Sequence, residues 1–535
     1  MIDNKSSKKE GTYMKTKIRK VNGKLMSAPF ISLAFAFIIV TNIYADNTAV
    51  IDLENTHQII RGFGAANIMP WRPDMTTDEI ELAFGTDDGQ IGFSILRLRV
   101  PPNENEFSLN VATAQAAYDM GVMIIASPWS PPAAMKTNNS TVGGELRVNN
   151  YDDFAAHLNA FAEYMADNGA PLYAISVQNE PDVSVTYESC DYSPSQMLGF
   201  VKENGASIET RLIAPESYHF DKDMSDPMLN DTEACENLDI VGGHIYGGGL
   251  EPYPLAESKG KEVWMTEHLV LGTSWADNLG TGRDMNDCML SGMSAYIWWY
   301  IVRFYGPIYD DGSDYRTPAG AIPGEISKRG YVMSQFARFI RPGYYRVECD
   351  PSDQNGLTLT AYKDSTYSKI VIVAVNTSPD AMSYTFTLQN GNADYITPYV
   401  TTATKDCNRE SDISVSGGSF TTTIEGSSVT TFVSGYNTNQ TENIPSLPGE
   451  FKLSQNYPNP FNPETTIQYS VPVNGHVSLK VYDLLGNQVA TLVEGTLQAG
   501  NYDVTFDGIG LAGGVYLYRL TGDHFMETRK FILSK

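Results

Sequence analysis

Paired cysteines are what this chain most plainly lacks. Five stand in 535 residues, Cys190, Cys235, Cys288, Cys349 and Cys407, none in a Cys-x-x-Cys spacing, so nothing marks a zinc site. One or two disulfides remain open, with no pairing specified. Histidine is equally sparse: the seven residues form no His-x-His or His-x-x-x-His cluster, and neither a metal nor another cofactor is expected. Positive charge is scarce too, 37 Lys and Arg against 63 Asp and Glu for a net charge of −26 and a pI near 4.6. A surface so acidic repels polyanions, which excludes nucleic acid and anionic membranes as partners and favours solubility outside a cell. Long apolar runs are missing except one. Residues 28–40 are mostly apolar, follow a basic cluster at 15–24, and lead to Ile43-Tyr44-Ala45. The run falls short of the roughly 20 residues of a spanning helix and reads as a secretory signal peptide cleaved near Ala45.

What is present is enough for several domains. With 42% hydrophobic composition the chain can bury more than one core. Between residues 61 and 300, eight strand-like segments alternate with helical ones: 62–65, 94–100, 122–129, 173–179, 211–216, 239–246, 262–267 and 295–300. Ser193-Pro194 caps a helix expected over 196–210, and residues 151–168 place Phe154, Leu158, Phe161 and Met165 at helical spacing. Eight such units predict an α/β fold, a (β/α)8 TIM barrel over 62–343. Beyond it the period becomes two, predicting an antiparallel β side domain over 344–436, into which the strand-like residues 46–61 pair. A polar linker at 437–450 leads to short strands over 451–535, a C-terminal β-sandwich.

Two carboxylates stand where apolar strands break into polar sequence: Glu180 after Tyr173-Ala-Ile-Ser-Val-Gln-Asn179, and Glu267 after Glu262-Val-Trp-Met-Thr266. They end the fourth and seventh of eight strands, so in a parallel barrel they converge on one cleft. Hydrolysis of a glycosidic bond needs such a pair, a proton donor at the leaving oxygen and, in a retaining enzyme, a nucleophile about 5–5.5 Å away. Glu180 is the expected donor, kept protonated by the neighbouring negative charge, and Glu267 the expected nucleophile. Glu216, in Ala214-Pro-Glu-Ser217, competes but reads better as a supporting or turn carboxylate. Trp129, Tyr246, Trp298 and Trp299 lie at strand ends and offer flat apolar area to a sugar ring. Adjacent residues on a strand point opposite ways, so at most one of Trp298 and Trp299 faces the cleft.

These motifs carry a resemblance. Gly62-Phe-Gly64, Gly92-Phe-Ser-Ile-Leu-Arg97, Ala126-Ser-Pro-Trp-Ser-Pro-Pro132, the stretch from Tyr173 to Asp182, Ile213-Ala-Pro-Glu-Ser217, Trp264-Met-Thr-Glu267, Trp298-Trp-Tyr300 and Ile326-Ser-Lys-Arg-Gly-Tyr331 resemble glycoside hydrolase family 30. Within it they are most similar to the bacterial glucuronoxylan-cleaving xylanases, over about residues 48–435. The resemblance implies a retaining endo-β-1,4-xylanase acting on xylan, with Glu180 as acid/base and Glu267 as nucleophile. It further implies that Asn179 contacts the sugar 2-hydroxyl beside the nucleophile, that Trp129 and Trp299 line the cleft, and that Arg303 and Tyr305 bind the 4-O-methylglucuronate branch. A guanidinium fork suits that carboxylate. One position departs from the pattern: where those xylanases carry a branch-binding tyrosine two residues after the nucleophile, this chain has Leu269. Ser274 is the expected substitute hydroxyl, and residues 310–325 read as an insertion beside Arg303. The tail, with Gln455-Asn-Tyr-Pro-Asn-Pro-Phe-Asn-Pro463, Val481-Tyr-Asp-Leu-Leu-Gly-Asn487 and Gly513-Gly-Val-Tyr-Leu-Tyr518, resembles the C-terminal sorting domain of the type IX secretion system. That implies the secretion machinery as a partner, and a secreted or cell-surface enzyme, expected to be a monomer.

Overall fold

The computed structural model describes residues 47–366, 368–436 and 452–534, apart from 472–474, 484–485, 498–499 and 523–524. The expected signal peptide and linker lie outside the described residues. Eight parallel strands close into a barrel: β1 (Gly62–Ala66), β2 (Ile95–Val100), β3 (Met123–Pro128), β4 (Leu172–Ser176), β5 (Arg211–Ser217), β6 (Ile240–His244), β7 (Glu262–His268) and β8 (Ala295–Tyr300). Strands covered on both faces need near-continuous apolar sequence, and every residue of β2 is buried. Helices supply the outer layer. Tyr151–Asp167 turns Phe154, Leu158, Phe161 and Met165 inward, and Pro194–Asn204 starts on a Ser193 and Gln196 capping box. That second helix stops at Asn204, earlier than its sequence suggests. Gly205 there passes so close to Asn237 that a Cβ would approach it to 2.7 Å, and a short 3-10 turn follows.

The barrel is filled in layers, and the layers follow from alternation along each strand. Ile95, Ile125, Ala174, Ile213, Ile240, Trp264, Ala295 and Ile297 form an apolar floor, with Tyr173 stacked on Trp264 at 5.9 Å. Two residues further along β2 and β3, on the same inward face, come Arg97 and Ser127, both buried. Above the floor the barrel is therefore polar and charged.

The side domain is one large sheet. Asn47–Ile59 runs antiparallel to Tyr345–Asp350 and parallel to Met382–Gln389, lying between them. Tyr345–Asp350 is a strand that the sequence reading missed. Its sequence, Tyr-Arg-Val-Glu-Cys-Asp, buries Val347 and Cys349 and turns Glu348 partly outward, a pattern blurred by the buried Arg346. The sheet rests on two barrel helices. Asn286 of Trp275–Leu290 donates to Thr358 O at 3.2 Å and accepts from Thr360 at 2.6 Å; Gln335 of Lys328–Ala337 donates to Thr401 at 2.8 Å and accepts from Thr431 at 2.6 Å. Buried bonds of this kind contribute about 1 kcal/mol each, and leaving one partner unmatched costs about 1–3 kcal/mol.

All five cysteines are free, which closes the disulfide question left open above. Cys190 follows β4, Cys235 and Cys288 lie on different helices, and Cys349 and Cys407 belong to the side domain, so each is held by its own packing. The C-terminal segment forms a sandwich of a three-stranded and a four-stranded antiparallel sheet around one core that includes Leu453, Phe461, Ile467, Leu479, Tyr518 and Phe531.

Candidate active site

The charged layer is organised by Arg97, which is wholly buried. Its guanidinium donates to Glu267 Oε2 at 2.6 Å, Asn179 Oδ1 at 2.7 Å, Glu216 Oε1 at 3.3 Å and Ser127 Oγ at 3.2 Å, and lies 4.9 Å from the ring centre of Trp129. Burial opposes its charge, but Glu216 and Glu267 outweigh that and hold it firmly protonated. Glu180 pairs instead with the other buried basic side chain, His244, whose Nδ1 is 3.0 Å from Glu180 Oε1. Burial would lower the His244 pKa, yet Glu267 and Glu180 together shift it upward.

Strict alternation would not bring these carboxylates together. Trp264 faces the barrel interior and Glu267 is three residues on, the wrong parity for the same face; Ile213 and Glu216 stand in the same relation. Irregularities correct both. The pairing register shifts between Gly243 and His244 and again between Met265 and His268, and on β5 between Pro215 and Ser217. Such bulges re-aim side chains at the rims of barrels. Glu216 also takes a left-handed backbone, φ 57°, as does Glu180 at 47°, conformations that cost of order 1–3 kcal/mol and gather at functional sites. Gly242 makes room: a Cβ there would meet Ile213 at 2.6 Å and Glu216 at 3.1 Å. Strand β4 ends at Ser176, three residues before the expected end, and the chain reaches Glu180 through bonds from Asn179 N to Pro128 O at 2.8 Å and from Glu180 N to Glu216 O at 3.0 Å.

An oxygen of Glu180, an oxygen of Glu267 and a ring nitrogen of His244 all lie within 4.8 Å of one another. Tyr246 donates to Glu267 Oε1 at 3.0 Å. Burial pushes the Glu267 carboxyl up and the charge of Glu180 adds to this, while His244 and Arg97 pull it down. Glu216 is wholly buried; burial would raise it, but Arg97 and His244 more than compensate and hold it below the ordinary carboxylate range. The cluster thus sets two basic side chains, Arg97 and His244, among three carboxyls, Glu180, Glu216 and Glu267. A carboxyl pair that shares one proton can act as acid and base. The same oxygens have the chemistry of a cation site, but the Arg97 guanidinium on Glu267 disfavours a metal there.

Aromatic residues rim the cluster. Trp71, Trp129 and Trp299 form a row with centroid separations of 5.2 and 5.5 Å. Trp298 is buried on the other side of β8, over Arg329, so the two adjacent tryptophans do face opposite ways. Tyr246 stacks on Tyr218 at 5.0 Å. Half-exposed Tyr187 stands over Glu180: burial and the two carboxylates raise its phenol.

The residues expected to bind the branch form a second group, close enough for Tyr305 to feel the charge of Glu267. Arg303 lies 3.5 Å from Asp310 Oδ2, and Arg72 donates to the same oxygen at 3.1 Å. Tyr305 is buried beside Arg303, whose guanidinium is 6.0 Å from its ring. Ser274 is used differently from the expectation. It caps Trp275–Leu290, donating to Asp277 Oδ2 at 2.5 Å and accepting from Asp277 N at 3.3 Å, so its hydroxyl is committed to the helix start. Leu269 packs partly buried against the barrel core. Arg97, His244, Arg72, Trp71 and Tyr187 were given no role from sequence. Arg97 was the most findable, since an arginine inside Ile95-Leu-Arg-Leu98 must be paired if that strand is buried.

Residues 72–247 match the glycosyl hydrolase family 30 TIM-barrel domain, and residues 455–534 the secretion system C-terminal sorting domain. Glucuronoxylanase XynC of Bacillus subtilis (strain 168) is 39% identical over 408 residues, which span 74% of this chain and 93% of that protein. Among solved structures, a GH30 endoxylanase from Clostridium papyrosolvens C71 is 38% identical with a TM-score of 0.65, and the family 30 subfamily 8 xylanase Xyn30A from Clostridium acetobutylicum 36% identical with a TM-score of 0.66. Each covers 73% of this chain and is itself covered in full.

Proposed function

Since the chain belongs to glycosyl hydrolase family 30, we propose that it is a secreted endo-β-1,4-xylanase that cleaves glucuronoxylan with retention of configuration. The observation that carries the mechanism is the approach of Glu180 and Glu267 within 4.8 Å. It favours retention, for which the carboxyls stand about 5–5.5 Å apart, over inversion, which needs about 6.5–9.5 Å to admit a water. Glu267 attacks the anomeric carbon as Glu180 protonates the departing oxygen; a bond to Glu267 forms and the glycosidic bond breaks. Water then enters, gives its proton to Glu180 and displaces Glu267 from the sugar. Arg97 and Tyr246 stabilise the ionised nucleophile that burial disfavours. Asn179 has its Oδ1 taken by Arg97, which leaves its amide N–H groups for the sugar 2-hydroxyl. Trp129 and Trp299 offer their faces to xylose rings. Arg303 and Tyr305 receive the glucuronate branch.

The sorting domain makes this a secreted or cell-surface protein; cleavage near Ala45 is part of the proposal. Glu267→Gln is expected to abolish reducing-sugar release from glucuronoxylan while polymer binding survives, and retained turnover would sink the assignment. NMR of the first product should show the β-anomer, and an initial α-anomer would refute retention. Leu269, with no hydroxyl to offer, favours a second reading in which xylan is cut without regard to the branch. Product masses separate the two: glucuronate at one fixed position supports Arg303 recognition, and equal activity on glucuronate-free xylan supports the alternative.

A further inference from the structure

The stretch after β8 that reads as an insertion does more than lengthen the loop. Asp310 lies in it with its side chain only 1% exposed, and its Oδ2 is shared by two guanidiniums that are 20% and 24% exposed, Arg72 from the loop after β1 and Arg303 from the loop after β8. One buried carboxylate cannot by itself neutralise two cations; Asp311 and Asp314 further along the loop also feel the charge of Arg303, and Asp314 is already paired with Arg316 at 2.6 Å. Asp310 takes a contact from one Nη group of each arginine, 3.1 and 3.5 Å, while a guanidinium carries five N–H donors. The trio also lies beside the chemistry. Tyr305 feels the charges of Arg303, Arg72 and Glu267 together, as does Tyr300, and Trp71, adjacent to Arg72, heads the tryptophan row through Trp129 to Trp299.

Accepting the reading that Arg303 binds the acidic branch, we propose that Arg72 is the second arm of that site, and that Asp310 is the positioning residue that holds the two guanidiniums side by side. Bringing two cations onto one oxygen without Asp310 would set them against each other; with it, their outward N–H groups present a fork wider than one arginine can offer. The arrangement restores a donor on this side of the cleft, where Leu269 offers none.

The test is the preference ratio, kcat/KM on glucuronoxylan divided by kcat/KM on glucuronate-free xylan, for the full chain and its variants. Arg72→Met is expected to lower the ratio about ten-fold, the size of one charge-assisted hydrogen bond, with Arg72→Lys recovering part of it. Asp310→Asn, nearly isosteric, should lower it several-fold. A purely structural ion pair would move the melting temperature and leave the ratio alone. If Arg303→Met collapses the ratio while Arg72→Met and Asp310→Asn keep the wild-type value, the paired site is refuted and branch recognition by Arg303 stands. If Arg303→Met also leaves the ratio untouched, branch recognition itself fails. Should Arg72→Met not fold, Asp310→Asn alone decides, an unchanged ratio overturning the proposal.

Discussion

Replacing Arg97 with methionine tests the logic of the active site most directly. The substitution keeps much of the aliphatic volume and removes a wholly buried charge that donates to Glu267, Glu216, Asn179 and Ser127. Two buried carboxylates then face His244 alone. Removing one member of a buried ion pair costs about 3–5 kcal/mol, because the other is left uncompensated. Spread over a catalytic unit of about 400 residues, this lowers the melting temperature by about 5 °C. The sign with pH follows from Glu216, which Arg97 and His244 hold below the usual range against the upward push of burial. A carboxylate depressed in the folded state adds stability above its unfolded pKa, about 4.3, and that stability is lost as pH falls through the folded value. The gap between wild type and Arg97→Met should therefore be full at pH 7 and shrink below about pH 4. Glu267, already raised by burial, loses one of the two cations opposing that rise, so the acid limb of the pH–rate profile should move upward. Calorimetry at pH 7 and at about pH 3, with reducing-sugar assays across pH, reads all three effects. A melting temperature within 1 °C of wild type at pH 7, roughly a fifth of the expected loss, together with an unmoved acid limb, would show that the charge is not what orders the site.

Tyr246→Phe removes one donor 3.0 Å from Glu267 and is expected to lower kcat about 10–100-fold with little change in KM; a change confined to KM would contradict its role at the nucleophile. Trp298→Ala should destabilise by about 3–5 kcal/mol, since the ring is fully buried, whereas Trp299→Ala should chiefly raise KM on xylan. A reversal of those two phenotypes in melting and kinetic measurements would mean the face assignment is wrong. Glu267→Gln, besides losing turnover, should melt above the wild type at pH 7, because the raised carboxyl is costly when ionised. The gain should fade as pH falls from the raised value toward the ordinary carboxylate range and be gone below it, and a lower melting temperature at pH 7 would count against that account.

How much of this was legible in the sequence depends on parity. The eight barrel strands could be read because buried parallel strands must be apolar along their length, and Glu180 lies an even number of residues beyond the inward-facing Ala174. Glu267 and Glu216 sit at the opposite parity from Trp264 and Ile213, and only the register shifts of β5, β6 and β7 bring them inward. Counting strands found Glu267; no rule of alternation could have. Ser274 shows the converse, since Ser-Trp-Ala-Asp277 is also an acceptable helix cap, and the helix took the hydroxyl. Arg72 was invisible for another reason: its partner Asp310 is 238 positions away, in a stretch after β8 that has no regular element to announce it.

The strand Asn47–Ile59 has a consequence in time as well as in space. It is among the first described residues to be synthesised, yet both neighbours in its sheet belong to the other end of the catalytic unit, with Asn47 reaching Ser383 across 336 positions. Until the barrel and the strands beyond it have emerged, this segment has nothing to pair with. Contacts so distant in sequence are slow to form, and an unpaired strand is prone to association with other chains while it waits. The side domain is in effect a clasp that closes only when the enzyme is complete.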